Sequence, residues 1–184
     1  MIFNIIWIAW CVSEILLNRL MRSGINDKKG QDKGSILFIW IMIAIAIFSG
    51  IVLQHYCIAP INNGLAISYI GLGIVVAGMA LRIISILTLG RLFTVDVTIR
   101  ENHSIKQDGV YRFIRHPSYS GMLISFIGLG LSLNNWLSLI SITTLITIAL
   151  IYRIRIEEKI LIAQFGTGYL DYKKKTYCII PWLY

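Results

Sequence analysis

Five apolar stretches alternate with polar segments along this chain of 184 residues. They cover 2–17, 36–53, 65–89, 118–133 and 136–152, and the only charged residues within them are Glu14 and Arg82. A helix rises about 1.5 Å per residue and the hydrocarbon core of a bilayer is about 30 Å thick, so stretches of this kind are typical of membrane-crossing helices. The pattern therefore predicts an all-α fold, an integral membrane bundle of five transmembrane helices.

The fourth and fifth stretches are separated only by Asn134 and Asn135, a pair that favours a turn. We therefore expect a tight helical hairpin. The fourth stretch covers only about 24 Å as a helix, less than the thickness of the hydrocarbon core. We expect it to be surrounded by protein on most sides, or to lie where the bilayer is thin.

Composition supports one membrane-embedded domain. The chain is 57% hydrophobic and only 14% charged, below the roughly 25% that is usual for soluble domains. Its length leaves room for a single domain, residues 1–184, with a three-helix part at 1–89 and a polar-rich part at 90–184 that contains the hairpin. The net charge of +8 comes from basic residues that flank apolar stretches, which favours contact with anionic membrane lipid and not with nucleic acid.

The basic residues also predict an orientation in the membrane. Sixteen of the 17 Lys and Arg residues fall in the segments 19–33, 91–115 and 153–175, and the connections at 54–64 and 134–135 have none. The positive-inside rule then places the N-terminus outside and the C-terminus in the cytoplasm of a multi-pass inner or plasma membrane protein. The polar segments 90–117 and 153–184 flank the hairpin, so we expect them to be neighbours on the cytoplasmic face.

The polar block from Arg115 to Gly121 is the first candidate site. Pro117 is favourable at the first position of a helix, and the unpaired N–H groups of that turn suit an anionic or electron-rich ligand. His116 can donate or accept a hydrogen bond beside it. The alternative is a plain interfacial cap, in which Arg115 binds lipid phosphate and Tyr119 lies among interfacial aromatic residues.

The second candidate cluster is Arg153, Glu157 and Glu158. If the fifth helix continues past Tyr152, Arg153 and Glu157 are four residues apart and share one face. Acidic residues at a membrane boundary are costly and indicate a function by default, although a solvated ion pair at a helix end is the simpler alternative.

Other features predict structure more than chemistry. Glu14 and Arg82 are expected to pair across the bundle, with snorkelling of Arg82 as the alternative. Gly73 and Ala77 fit small-residue helix packing. The three cysteines are expected to be buried free thiols, with no disulfide and no metal site, and the sequence has no hydrolase triad or zinc-type spacing.

A series of motifs in the second half of the chain resembles the isoprenylcysteine carboxyl methyltransferase family of membrane enzymes and, more distantly, the phospholipid N-methyltransferases. The resemblance covers about half of the chain, from Gly90 to Tyr184. The motifs are, in order, Asp108-Gly109-Val110-Tyr111, Arg115-His116-Pro117-Ser118-Tyr119-Ser120-Gly121, the hairpin, Arg153, Glu157-Glu158, Phe165-Gly166, Tyr169 with Tyr172, and Ile180-Pro181.

This resemblance implies that S-adenosyl-L-methionine is the methyl donor, held in a cytoplasmic pocket formed by the 90–117 connection and the C-terminal segment. It implies that Arg153 and Glu157 carry the reaction and that Arg153 faces the acceptor. Because Ser104, Ile105 and Lys106 replace a more apolar stretch of the family, contacts there would be mainly through the backbone. The residues implied in donor binding are His103, Ser104, Ile105, Lys106, Tyr111, His116, Pro117, Ser118, Tyr119, Glu157 and Glu158.

Three functions remain open from the sequence. The first is methyl transfer to a lipophilic or prenylated acceptor, most simply a prenylcysteine-like carboxylate, with a lipid amine or a small thiol as other acceptors. The second is an NADPH-dependent sterol or enone reductase, because such membrane enzymes share the Arg-His-Pro-x-Tyr-x-Gly block. The third is a non-enzymatic protein whose polar blocks bind lipid headgroups. Oligomeric state is not predicted.

Overall fold

The computed structural model describes residues 2–20, 34–56, 59–62, 64–90 and 105–181. Within these ranges the secondary structure is helical, with two isolated β-bridges and no strand, so the prediction of an all-α fold is confirmed. A short 3-10 turn at Gly109–Arg112 precedes the fourth helix. The helices are α1 (Ile2–Leu20), α2 (Ser35–His55), α3 (Ala66–Leu89), α4 (Pro117–Ser132), α5 (Trp136–Phe165) and α6 (Thr167–Lys175).

Three of these helices, α2, α3 and α5, are long and apolar enough to cross a membrane. The apolar part of α1, Ile5–Leu17, is shorter, and α4 has only 16 residues. Twelve of the 16 residues of α4 are buried, as expected for a short helix surrounded by protein. The five-span arrangement itself stays a prediction.

Helices α3 and α4 pack with their backbones in contact. A Cβ atom added to Gly71 would lie 2.4 Å from the backbone nitrogen of Ser132, and one added to Gly121 would lie 2.7 Å from that of Arg82. The expected small-residue packing is therefore present, but its assignment to Gly73 was wrong, because a Cβ added there meets nothing within 4 Å. Gly71 and Gly78 are seven residues apart and share a face of α3, whereas Gly73 and Ala77 are exposed on another.

The Asn134–Asn135 turn joins α4 to α5 and binds the α2–α3 connection. Asn134 adopts a left-handed conformation with φ of 52°, and the Asn135 side chain accepts a hydrogen bond from Ser138 N at 3.0 Å, which caps α5. Ile61 N donates to Asn134 O at 3.2 Å, and Trp136 N donates to Ala59 O at 3.0 Å. The predicted turn thus fastens the two connections to each other.

The cysteine predictions are only partly correct. Cys178 is a buried free thiol, but Cys11 is exposed on the surface of α1, where an apolar residue can face lipid. Cys57 lies outside the described residues.

Candidate functional site

The polar block begins α4 as the sequence predicts. Pro117 is the first helical residue and His116 is the cap, and the first helical turn is closed by Tyr119 N and Ser120 N, which donate to His116 O at 3.0 and 3.1 Å. Because proline lacks an N–H and the first turn has no earlier carbonyls to bind, this arrangement costs no backbone hydrogen bond.

Helix α5 continues unbroken to Phe165, so Arg153 and Glu157 do share one of its faces. That face meets the start of α4. Tyr119 Oη donates to Glu157 Oε2 at 2.8 Å, and Arg153 Nε donates to Tyr119 Oη at 3.3 Å. His116 Nδ1 lies 3.8 Å from Glu157 Oε2. The two candidate clusters of the sequence are therefore one site.

Arg153 is only 2% exposed, and its guanidinium spans two helices in addition to its own. Besides Tyr119 of α4, it donates from Nη1 to the Oγ of Ser35, the first residue of α2. Ser35 was not predicted as a site residue, and a lone serine at the start of an apolar stretch gives no signal that could have identified it.

Glu158 has a different environment from its neighbour. Arg115 Nε donates to Glu158 Oε1 at 3.0 Å, and Lys173 Nζ donates to Oε2 at 2.5 Å. The Glu158 side chain is 11% exposed and that of Glu157 is 28% exposed. Glu158 therefore ties α5 to the start of α4 and to α6, whereas Glu157 has the more accessible carboxylate.

The segment after α6 forms one wall of the site. Tyr177 N donates to Phe113 O at 2.9 Å, Arg115 N to Tyr177 O at 2.8 Å and His116 N to Cys178 O at 3.1 Å. Ser120 Oγ adds a bond to Ile179 O at 2.6 Å. These bonds hold the C-terminal segment beside the residues that lead into α4.

A group of buried tyrosines completes this end of the bundle. Tyr111 Oη donates to Ser85 O at 3.3 Å, and Tyr172 Oη donates to Tyr111 O at 2.6 Å. Burial raises the pKa of Tyr172 to about 12, and burial together with the charge of Glu157 raises that of Tyr111 well above its ordinary value. Burial also raises the pKa of Tyr169, and Glu158 adds to the effect. The phenols stay protonated at neutral pH, and those of Tyr111 and Tyr172 donate hydrogen bonds.

The connection before this site is described only in part. His103 and Ser104 lie outside the described residues. Lys106 Nζ lies 3.1 Å from Asp108 Oδ2 in a largely exposed ion pair, and Ile105 Cδ1 would be 3.8 Å from a Cβ placed on Gly168 of α6. The structure thus brings Tyr111, His116, Pro117, Ser118, Tyr119, Arg153, Glu157 and Glu158 to one end of the bundle.

Donor atoms of His116, Glu158 and Cys178 lie within 4.8 Å of one another, a set that can in principle hold a metal ion. Glu158 is already bound by two cations, Arg115 and Lys173. Burial raises the pKa of the Cys178 thiol to about 11, so the thiolate that a metal requires is scarce at neutral pH. The two bound cations and the protonated thiol both disfavour a metal ion among these three residues.

The Nε2 atom of His116 is buried within the candidate site. His116 is 5% exposed, and its Nε2 faces Glu158 Oε1 at 3.6 Å, slightly beyond the usual length of a hydrogen bond. Among the described residues, Nε2 is one of the few buried polar side-chain atoms with no hydrogen-bond partner. A small shift of Glu158 or a bound ligand would complete the hydrogen bonding of this nitrogen.

The sequence matches the model of the isoprenylcysteine carboxyl methyltransferase (ICMT) family over residues 70–163. A protein named probable protein-S-isoprenylcysteine O-methyltransferase from Oryza sativa subsp. indica is 35% identical over 64% of this chain and 62% of its own length. Protein-S-isoprenylcysteine O-methyltransferase B of Arabidopsis thaliana is 37% identical over 64% of this chain and 60% of its own. The Saccharomyces cerevisiae protein-S-isoprenylcysteine O-methyltransferase is 36% identical over 62% of this chain and 48% of its own.

A solved structure is also similar. It is titled as the eukaryotic intramembrane Ras methyltransferase ICMT, and it matches 86% of this chain and 55% of its own with a TM-score of 0.61 and 29% identity. The chain thus aligns with less than two thirds of the length of each of these proteins.

Proposed function

The chain belongs to the isoprenylcysteine carboxyl methyltransferase family, and on that premise we propose that it is an integral membrane methyltransferase. Its donor is S-adenosyl-L-methionine, and its acceptor is lipophilic, most simply a prenylcysteine-like carboxylate. The names of its relatives favour methyl transfer over hydride transfer. The observation that carries the proposal is the meeting of Glu157, Tyr119, His116 and Arg153 at one end of the α4–α5 hairpin.

The residues fit this donor. S-adenosyl-L-methionine has an ammonium group, a carboxylate and ribose hydroxyls, so its site needs a hydrogen-bond acceptor with negative charge and several donors. Glu157 offers the partly exposed carboxylate for the ammonium group, and His116 Nε2 offers a buried nitrogen whose contact with Glu158 is longer than a hydrogen bond. Tyr111 offers a buried aromatic wall close to Glu157.

Arg153 fits the acceptor. Its guanidinium keeps its charge and can hold a carboxylate through two parallel hydrogen bonds. It is fixed by Tyr119 and Ser35 from two helices, so little conformational freedom is lost when it binds an anion. A lipophilic acceptor reaches this guanidinium from the membrane side, and a polar donor reaches Glu157 from the aqueous side.

When bound, S-adenosyl-L-methionine supplies a methyl group activated by its positively charged sulfur. The protein needs no strong base, since a carboxylate acceptor is already an anion and no proton is transferred as its oxygen forms the new bond to carbon and the sulfur–carbon bond breaks. The task of Arg153 and Glu157 is to align the two partners, and the C-terminal segment excludes water around them.

The proposed orientation has the site in the cytoplasm and the N-terminus outside. The bundle end that carries the site includes basic residues such as Arg115, Arg153 and Lys173, whereas the outer turn at 134–135 has none. The positive-inside rule supports this orientation. Cysteine accessibility scanning with a membrane-impermeant reagent on intact cells tests it, because a cysteine placed at the outer turn should react and one at α6 should not.

Donor binding is tested by calorimetric titration of detergent-solubilised protein with S-adenosyl-L-methionine. We expect saturable binding that Glu157→Gln weakens at least tenfold, since glutamine can still accept the hydrogen bond from Tyr119 but lacks the charge for an ammonium group. Asp171→Asn, a change at an exposed acid of α6, is the matched control and should leave affinity unchanged. Binding of NADPH in place of S-adenosyl-L-methionine would instead support a reductase.

Acceptor class is tested by mass spectrometry after incubation with a prenylcysteine, a lipid amine and a small thiol. We expect a methyl ester from the prenylcysteine. Arg153→Met should abolish this product while donor affinity stays within twofold of wild type. Methylation of the amine or thiol that survives Arg153→Met would contradict the carboxylate assignment.

A further inference from the structure

An ion pair between α1 and α3 lies next to the proposed donor site. Arg82 Nη2 donates to Glu14 Oε2 at 2.9 Å, and Arg82 Nε lies 2.7 Å from Glu14 Oε1, in an alignment that does not satisfy a second hydrogen bond. The Arg82 and Glu14 side chains are 13% and 15% exposed. Two opposite charges at this depth neutralise each other, which confirms the pairing expected from the sequence.

The third nitrogen of the same guanidinium turns to α4. Arg82 Nη1 donates to Ser118 Oγ at 3.0 Å and to Ser118 O at 3.2 Å. The short reach is possible because α3 and α4 are in backbone contact there, where a Cβ on Gly121 would lie 2.7 Å from Arg82 N. One side chain thus binds an acid of α1 and the first turn of α4.

This arrangement determines what the Ser118 hydroxyl can do. A hydroxyl oxygen that accepts from a guanidinium keeps its own hydrogen available for donation. Within the described ranges, Ser118 Oγ is recorded only as an acceptor, and Ser118 is 7% exposed. Among the described residues no acceptor for this hydroxyl hydrogen is recorded, so the hydrogen is available to a ligand.

Arg82 also affects the phenol of Tyr111, which lies beside the proposed donor site. Burial raises the pKa of the Tyr111 phenol, the charge of Glu157 raises it further, and the charge of Arg82 opposes them. Arg82 is therefore close enough to influence Tyr111 as well as Ser118, although it belongs to the N-terminal half of the chain.

We propose that Arg82, neutralised by Glu14, is a positioning residue that fixes the Ser118 hydroxyl as a hydrogen-bond donor to an oxygen of the methyl donor. This inference rests on the function proposed above. It extends the donor site to α1 and α3, outside the motifs that led to the family. A pair that only holds α1 to the bundle is the competing explanation, and it makes different predictions.

The experiment uses variants that separate charge pairing from positioning. Arg82→Met leaves Glu14 buried without its partner and should lower the melting temperature. The double variant Glu14→Gln with Arg82→Met removes both charges and should regain most of that stability, because neutral replacements for a buried pair are often tolerated. The double variant still lacks the donor to Ser118.

Donor affinity is then measured by calorimetric titration with S-adenosyl-L-methionine. We expect the double variant to bind roughly tenfold more weakly than wild type, with a higher KM for the donor and an unchanged KM for the acceptor. Ser118→Ala should weaken binding by the same factor. Adding Ser118→Ala to the double variant should cause no further loss, since Arg82 acts through Ser118.

Two results would overturn the inference: wild-type affinity in the double variant, or losses that multiply when Ser118→Ala is added. Either result leaves the proposed methyltransferase intact, because wild-type protein still binds the donor. Failure of the wild type to bind S-adenosyl-L-methionine would remove both proposals. Arg82→Lys, which retains a charged donor, should recover part of the affinity that Arg82→Met loses.

Discussion

The two ends of the α4–α5 hairpin are held together by different kinds of interaction. At the Asn134–Asn135 turn, backbone groups and two asparagines bind one another, and no charged residue takes part in the described hydrogen bonds. At the opposite end, Arg115, Arg153, Glu157 and Glu158 lie in a cluster in which the Nε2 atom of His116 makes a long contact of 3.6 Å with Glu158. Hydrogen bonds among backbone and amide groups hold the turn, whereas partly buried ion pairs hold the opposite end.

The largest expected loss of stability comes from removing Glu158, which binds Arg115 and Lys173 at the end of the bundle that carries the candidate site. Glu158→Ala leaves the Arg115 guanidinium, 8% exposed, without its carboxylate and should cost about 3 kcal/mol of unfolding free energy. It should also release the C-terminal segment, which Arg115 holds through Lys173 O and Thr176 O. Thermal unfolding in detergent, followed by circular dichroism, measures the loss.

The matched control for this change is Lys173→Ala. Its ammonium group binds the same carboxylate but is 41% exposed, so its removal should cost less than about 1 kcal/mol. If Glu158→Ala and Lys173→Ala lowered the unfolding free energy equally, the ion pair between Glu158 and Arg115 would not be the main stabilising contact at this end.

At the Asn134–Asn135 turn, we expect a substitution to change stability without changing donor affinity. Asn135→Ala removes the cap of α5 and should lower the unfolding free energy by about 1 kcal/mol while donor affinity stays the same. Melting temperature and calorimetric affinity are measured on the same preparation. Asn62→Ala, at an exposed position of the facing connection, should have a smaller effect on stability. Loss of donor affinity in Asn135→Ala would show that the two ends are not independent.

The smallest expected effect is on the rate at which the Cys178 thiol is alkylated. Burial raises the pKa of Cys178 to about 11, so alkylation of this thiol should be slow at neutral pH and rise about tenfold per pH unit up to that value. Mass spectrometry of iodoacetamide-treated protein with Cys11→Ser and Cys57→Ser gives the profile. A plateau near the ordinary thiol pKa of about 8.5 would contradict a closed C-terminal segment.

Local rules of helix formation predicted much of this architecture. Pro117 and Asn135 carry their own signals for the start of α4 and α5, and Asn134 carries the signal for the turn between them. Once the hairpin is known, the two polar segments must meet at its open end. That is why Glu157 and Tyr119 could be expected to be neighbours from the sequence.

What the sequence did not reveal depends on tertiary geometry. Two adjacent glutamates differ in role because successive helical residues are about 100° apart, and only the packed bundle shows which one faces Arg115 and Lys173. The face of α3 that packs on α4 was misassigned for the same reason, since Gly71, Gly73 and Gly78 offer several faces to a partner. The contact between Arg82 and Ser118 joins residues 36 positions apart, and no local pattern encodes it.

Helix α5 has a consequence for how the protein responds to its surroundings. It runs for 30 residues without a break from the Asn134–Asn135 turn, and its far half carries Arg153, Glu157 and Glu158. A membrane-crossing helix adapts to bilayers of different thickness by changing its tilt or by a local change in bilayer thickness. Because α5 is continuous, any such tilt moves all three side chains together. The length of the lipid acyl chains therefore affects where these side chains lie relative to the membrane surface.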